Sequence, residues 1–141
     1  MEKKFVKKRR DIETEADIES VVHQFYGDLI KDDRVGLFFT EVVSLDFEIH
    51  LPIIISFWSS ILLGNHKYQG NPMLKHIELS RKMRIDESHL KRWLSIWRQT
   101  LDQSHEGQVT ELAKSKAEQI GMLMLHKISN DENNGSVTSP L

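Results

Sequence analysis

Trp93 and Trp97 stand one helical turn apart in SHLKRWLSIWRQTLDQS, within a stripe that also takes Leu90, Leu94 and Leu101. Residues three, four and seven apart share one face of an α-helix, so both indoles turn toward the same interior. Each buries on the order of 200 Å², and two on one face call for a large pocket opposite them. A chain of 141 residues, 39% of them apolar, is long enough for one domain of that kind, with roughly two-thirds of its unfolded surface removed from water. Asp86 or Ser88 caps this helix in the expected scheme, and Gly107 marks its end.

The other apolar stripes share the helical period. Thr14 followed by Asp17 fits a capping pattern, and Ile18, Val21, Val22, Phe25 and Leu29 continue it to about Asp33, with Tyr26 beside the stripe. Val35 to Val43 is short and aromatic and reads as a turn or connecting helix. His50, Ile54, Phe57, Trp58 and Ile61 form a further stripe, and Pro52 places the start of that helix close to His50, because proline is tolerated in a first turn. Gly64 is a natural stop, and Asn71-Pro72 starts a short helix over Met73 to Ile77. The last helix is expected from about Thr110 to Ile128 and carries Leu112, Ala113, Ala117, Ile120, Leu123, Met124 and Ile128. No convincing strand pattern occurs, so the expected class is all-α. The expected organisation is a basic flexible tail over 1–13, a domain over 14–128 and a disordered polar tail over 129–141.

Composition removes several functions. A net charge of −2, from 19 basic and 21 acidic residues, provides no global field for nucleic acid or an anionic membrane. The absence of cysteine excludes disulfides, thiolate-ligated haem, Cys-ligated iron–sulfur clusters and covalent haem attachment through C-x-x-C-H. MEKKFVKKRRDIE has the charge of a signal peptide without the apolar run behind it, and no stretch of roughly 18 apolar residues occurs; a soluble cytoplasmic protein is expected.

Seven histidines invite a metal reading, yet no H-x-x-x-H, H-x-H or E-x-x-H spacing brings two strong ligands onto one face. Nucleophile elbow, P-loop and dinucleotide fingerprints are also absent. What remains is His50 and His76 on adjacent apolar segments, with Tyr26 and Trp93 available to complete a cavity that suits a flat apolar cofactor such as haem. The residues alone leave a plainer account open: His76 on a surface, Tyr26 at a boundary, and Trp93 and Trp97 as ordinary core. His23, His66, His89, His105 and His126 are expected in solvent or at a boundary.

The order FEIHLP, FW, LLG, YQGNPMLKH and HLKRWL, from about Ile18 to Ile128, resembles the group III truncated haemoglobins. That resemblance implies a compact globin fold around haem b, with His76 as proximal iron ligand and Tyr26 as distal hydrogen-bond donor. It also implies Phe25 as the aromatic neighbour of Tyr26, His50 at the ligand entrance, either gating the pocket or only capping its helix, and Ile54 one turn later. Trp93 closes the distal pocket, Phe39 packs on the haem, and Tyr68, Lys75 or Arg81 stands where a propionate can be met. Phe47 departs from the pattern, since many relatives carry tryptophan there. The implied partners are dioxygen and other diatomic gases, with an external reductase if nitric oxide or peroxide chemistry is catalysed. The competing reading is a haem-free helical interaction module whose Trp and Leu stripes bury against themselves or a partner helix; a globin fold that has lost its cofactor is a third.

Overall fold

The computed structural model describes residues 9–39, 46–68 and 70–138. Five helices follow one another: α1 (Glu15–Lys31), α2 (Phe47–Leu63), α3 (Pro72–Lys82), α4 (Glu87–Ser104) and α5 (Gln108–Thr138). Among the described residues there is no strand, only an isolated parallel bridge between Arg10 and His105.

The predicted start of α1 holds: Thr14 and Asp17 form a reciprocal capping box, which satisfies backbone donors that the first turn leaves orphaned. Its predicted stripe is the centre of the core, with Ile18, Val21, Val22, Phe25 and Leu29 all at 2% exposure or less. α2 begins a turn earlier than predicted, because Asp46 accepts from the Glu48 amide and caps the helix before Phe47. Pro52 therefore lies inside α2, on its exposed side, where water can serve the carbonyl its missing N–H leaves unpaired. Gly64 ends α2 at φ 69°, a left-handed conformation that costs a β-carbon-free residue little.

Trp97 joins the helices. Its ring stacks on Trp58 of α2 at 4.7 Å and 22° and meets the edge of Phe25 of α1 at 4.9 Å. Its indole N–H donates to the Ala113 carbonyl of α5 at 3.1 Å. Ala113 and Ala117, both fully buried, let α5 approach α4 closely. The buried face of α4 also includes Ile96 and Thr100, while Trp93 and Leu90 stay partly exposed at its edge. On α5 the predicted stripe needs correction: Leu112 and Leu123 are exposed, at 38% and 47%, and the inward row runs through Ala113, Ala117, Met124 and Ile128. This helix also continues past the predicted Ile128 to Thr138. Ion pairs Arg81–Asp131 and Arg84–Glu132 connect that extension to α3 and the residues after it.

α3 is longer than predicted, running to Lys82, where Arg81 and Lys82 sit favourably in the last turn. It packs on α5, and Ser80 is its one buried residue. Val35 to Phe39 form the predicted turn and a single helical turn, with Val35 and Phe38 buried; 40–43 lie outside the described residues. Asp32 organises this corner, accepting from the Arg34 and Val35 amides at 3.0 Å each and from Arg92 Nε at 2.6 Å.

Residues 9–13, predicted as part of a flexible tail, are packed; residues 1–8, with most of the basic run, lie outside the described residues. Ile12 is 2% exposed. Arg10 grips Asp17 through both Nη atoms, at 2.9 and 2.5 Å, and Arg9 pairs with Glu106. Asp11 accepts from the Val109 and Thr110 amides and the Thr110 hydroxyl, each at 2.8 Å. These are the bonds an N-cap side chain makes, yet the residue before α5 is Gly107 (φ 140°), whose absent β-carbon would sit 2.4 Å from Asp11 Cγ. The cap is thus supplied from the other end of the chain. His105 also departs from expectation: it is 6% exposed, with Nδ1 at 2.8 Å from Ser104 Oγ and Nε2 at 3.8 Å from Asp17.

Trp97→Ala should lower the unfolding free energy by about 3–5 kcal/mol, read as a shifted urea midpoint, while Trp93→Ala should cost distinctly less because that indole is only partly buried. Asp17 supplies a pH signature. Its hydrogen bond from Arg10, helped by the Glu13 and Thr14 amides and opposed by burial, holds the carboxyl well below its ordinary 3.8. The stability this confers is complete above that unfolded value and is lost as the pH falls through the folded value. Asp17→Asn should therefore be less stable than the wild type at pH 7, with the gap narrowing as urea midpoints are followed down to pH 3.

Candidate haem pocket

Asn71 and Pro72 place the first critical imidazole. The Asn71 side chain caps α3 by accepting from the Leu74 amide at 3.0 Å, and Pro72 occupies the first turn, where its missing N–H costs nothing. One turn on, His76 Nδ1 lies 2.7 Å from the Pro72 carbonyl. A carbonyl only accepts, so Nδ1 carries the hydrogen and Nε2 keeps its lone pair. Burial pushes the His76 pKa below its ordinary 6.5, against the Pro72 bond that raises it, which favours the neutral ring.

His76 lines a cavity of about 110 Å³. Tyr26 and Leu29 of α1 form part of its wall, with Val35, Phe38 and Phe39 from the corner, Leu79 and Ile85 near the end of α3, Leu90, Trp93 and His89 of α4, and Met124 of α5. The lining is apolar apart from an imidazole pair, one phenol and one indole. Tyr26 sits in an aromatic surround, with ring centroids of Phe25, Phe39, Phe47 and His50 at 5.5, 5.9, 6.0 and 5.5 Å, all edge-on. Burial drives its phenol pKa well above the usual 10, so the hydroxyl keeps its proton. His50 Nε2 lies 3.4 Å from that hydroxyl. The His50 pKa is lowered by its own burial and then by the charge His76 would carry, which places the two imidazoles within electrostatic reach of each other.

Of the residues singled out in the sequence, Tyr26, Phe39, His76 and Trp93 share this cavity. His50 reaches it through the Tyr26 hydroxyl. Phe25 stands behind, edge-on to Trp93 at 6.0 Å and part of the core. Ile54 packs against the core without lining the cavity. Tyr68 is also outside the lining: its ring lies on Phe57 at 5.1 Å and its amide donates to Ser60 Oγ at 2.8 Å. Arg81 is paired with Asp131 at 2.6 Å, and Lys75 is exposed. Sequence reasoning missed Phe38, Leu79, Met124 and above all His89, which is only 17% exposed in its side chain. A cue for His89 existed, since it stands three residues after Asp86 and completes a capping box there.

A crystal structure of the group III truncated hemoglobin from Campylobacter jejuni superposes on this chain with a TM-score of 0.75, covering 86% of this chain and 95% of that one at 19% identity. The fold is that of a truncated globin. The resemblance read from the sequence is borne out by a second finding: the group 3 truncated hemoglobin ctb of the same organism is 24% identical over 106 residues, spanning 73% of this chain and 81% of its own length. No family model matches the chain. No helix among the described residues is long and apolar enough to cross a membrane.

Proposed function

We propose that this chain is a cytoplasmic haem b protein that binds dioxygen and related diatomic ligands, with His76 as the axial ligand of the iron. One observation carries the reading: the Pro72 carbonyl fixes His76 with Nδ1–H outward and a free Nε2 lone pair, at the wall of an apolar cavity that also holds a protonated Tyr26 and Trp93. That donor set fits haem, which needs one neutral imidazole and otherwise apolar walls. At about 110 Å³ the cavity is narrower than the roughly 300–1,000 Å³ of ordinary cofactor clefts, so a wall has to yield. α3 is the wall suited to this, since it packs on α5 largely without buried apolar side chains.

Haem bound here supplies an iron that takes a diatomic ligand and changes oxidation state. The chain's own groups do the rest. His76 orients through the Pro72 bond, which also raises the basicity of its other nitrogen. Tyr26 offers its O–H, and the Trp93 indole N–H has no acceptor among the described residues and is free to serve as a second donor. His50, neutral and half-buried beside the Tyr26 hydroxyl, fixes the direction of that donor. Donors facing a partly negative ligand where Phe38, Phe39 and Leu29 keep water out slow its release. Slow release suits oxygen sensing, nitric oxide dioxygenation or peroxide chemistry better than storage, and turnover in the last two would draw electrons from a separate reductase.

Ferric, ferrous and carbonmonoxy absorption spectra of the wild type supplied with haem test this, beside those of His76→Ala. An intense Soret band that shifts on carbon monoxide binding, and is lost or altered in the variant, is expected; a folded, colourless wild type that refuses haem would overturn the function. Tyr26→Phe should accelerate dioxygen release about tenfold or more, as expected for loss of a hydrogen bond to a charged acceptor, and unchanged release in stopped-flow would remove Tyr26 from the role.

A further inference from the structure

Two imidazoles line the same cavity, and the backbone holds them in opposite states. At His76 the partner of Nδ1 is a carbonyl, so that nitrogen is protonated and Nε2 presents a lone pair. At His89 the partner of Nδ1 is the Asp86 amide, which donates to it at 3.0 Å. Nδ1 of His89 therefore keeps its lone pair for the cap, and the ring hydrogen resides on Nε2. With a second proton the ring would give up that bond, Nδ1–H facing the Asp86 carboxylate 3.2 Å away, while Nε2–H would still be a donor. One imidazole is built to ligate and the other to donate.

The His89 donor has no acceptor among the described residues. Its ring meets Phe38 edge-on at 5.1 Å, and the cavity it lines is otherwise largely apolar, with Leu79, Ile85, Leu90 and Met124 among its walls. The side chain is 17% exposed, and no side-chain nitrogen among the described residues is buried without a partner, so Nε2 is open to water; an occupant that displaces that water without offering an acceptor forfeits roughly 1–3 kcal/mol, so one gains by bringing an acceptor. Of the cationic side chains near α3, Arg81 is committed to Asp131 and Arg84 to Glu132, and Lys75 and Lys82 are exposed and outside the cavity lining. Resting on the haem reading, we propose that the Nε2–H of His89 holds a carboxylate of the bound porphyrin.

The test is the rate at which the holoprotein loses its porphyrin to excess apomyoglobin, measured for wild type, His89→Gln and His89→Glu. Glutamine and glutamate at this position both accept from the N-cap amide, so both keep the capping box; glutamine also keeps a donor and ionised glutamate has none. Matching thermal midpoints check that the helix start survives. Haem loss from His89→Glu about tenfold faster than from His89→Gln is expected, with the gap closing when haem dimethyl ester, which has no free carboxylate, replaces haem. Equal loss from the two variants, or a gap that persists with the ester, would overturn the assignment while leaving the haem function standing. A low-spin bis-histidine spectrum that disappears in His89→Gln would also overturn it, because His89 would then be a ligand. Wild type that takes up neither porphyrin would sink the function itself and this inference with it.

Discussion

The indole of Trp97 is the joint on which the other contacts depend. One ring stacks on α2, receives an edge from α1, belongs to α4 and donates its N–H into α5. A phenylalanine there could fill part of the space but could not donate to Ala113, and the carbonyl would lose a buried partner. Because four helices meet at this ring, the Tyr26 side of the cavity is rigid: α1, α2 and α4 cannot separate without opening the core. α3 is outside that joint. The protein thus divides into a fixed frame that carries Tyr26 and Trp93 and a helix outside that frame, packed on α5, that carries His76.

Backbone partners, more than residue identity, decide what each histidine can do. His76 and His89 are chemically the same side chain, and both line the cavity. A carbonyl one turn upstream leaves the first with its lone pair on Nε2, and an amide three residues upstream leaves the second with its hydrogen there. His105 shows a third outcome: buried between Ser104 and Asp17, it serves the anchoring of the first described residues and has no part in the cavity.

Where the sequence was readable, the controlling interactions were local. The Thr14–Asp17 box, the α1 stripe, the Gly64 stop and the Asn71-Pro72 start each lie within a few residues of what they control. Tyr26, His76, Phe39 and Trp93 share a cavity; the residues alone group Tyr26, His76 and Trp93 around one while leaving each a plain alternative, and Phe39 and the individual roles come only from the family resemblance. Long-range partners were not readable. Nothing near Gly107 announces that Asp11 will cap α5, nothing near Leu112 and Leu123 says that Ala113 and Ala117 will take the inward row, and the value of Arg10 appears only once Asp17 is beside it. His89 was passed over because its capping role is local while its place on the cavity wall depends on Phe38 and Met124 arriving from elsewhere.

The cap on α5 also bears on the order of events during synthesis. Asp11 leaves the ribosome nearly a hundred residues before the amides it will hold, at separations of 98 and 99 positions. Until then its carboxylate and Arg9, whose partners are Asp102 and Glu106, are solvated, and the last helix, once made, begins without a cap of its own. Closure of the two chain ends is therefore a late event, since contacts of this sequence separation must overcome loop entropy before they contribute. Joining the two ends of this sequence and opening the chain elsewhere would shorten the separation that contact must close, a change of route to the same architecture.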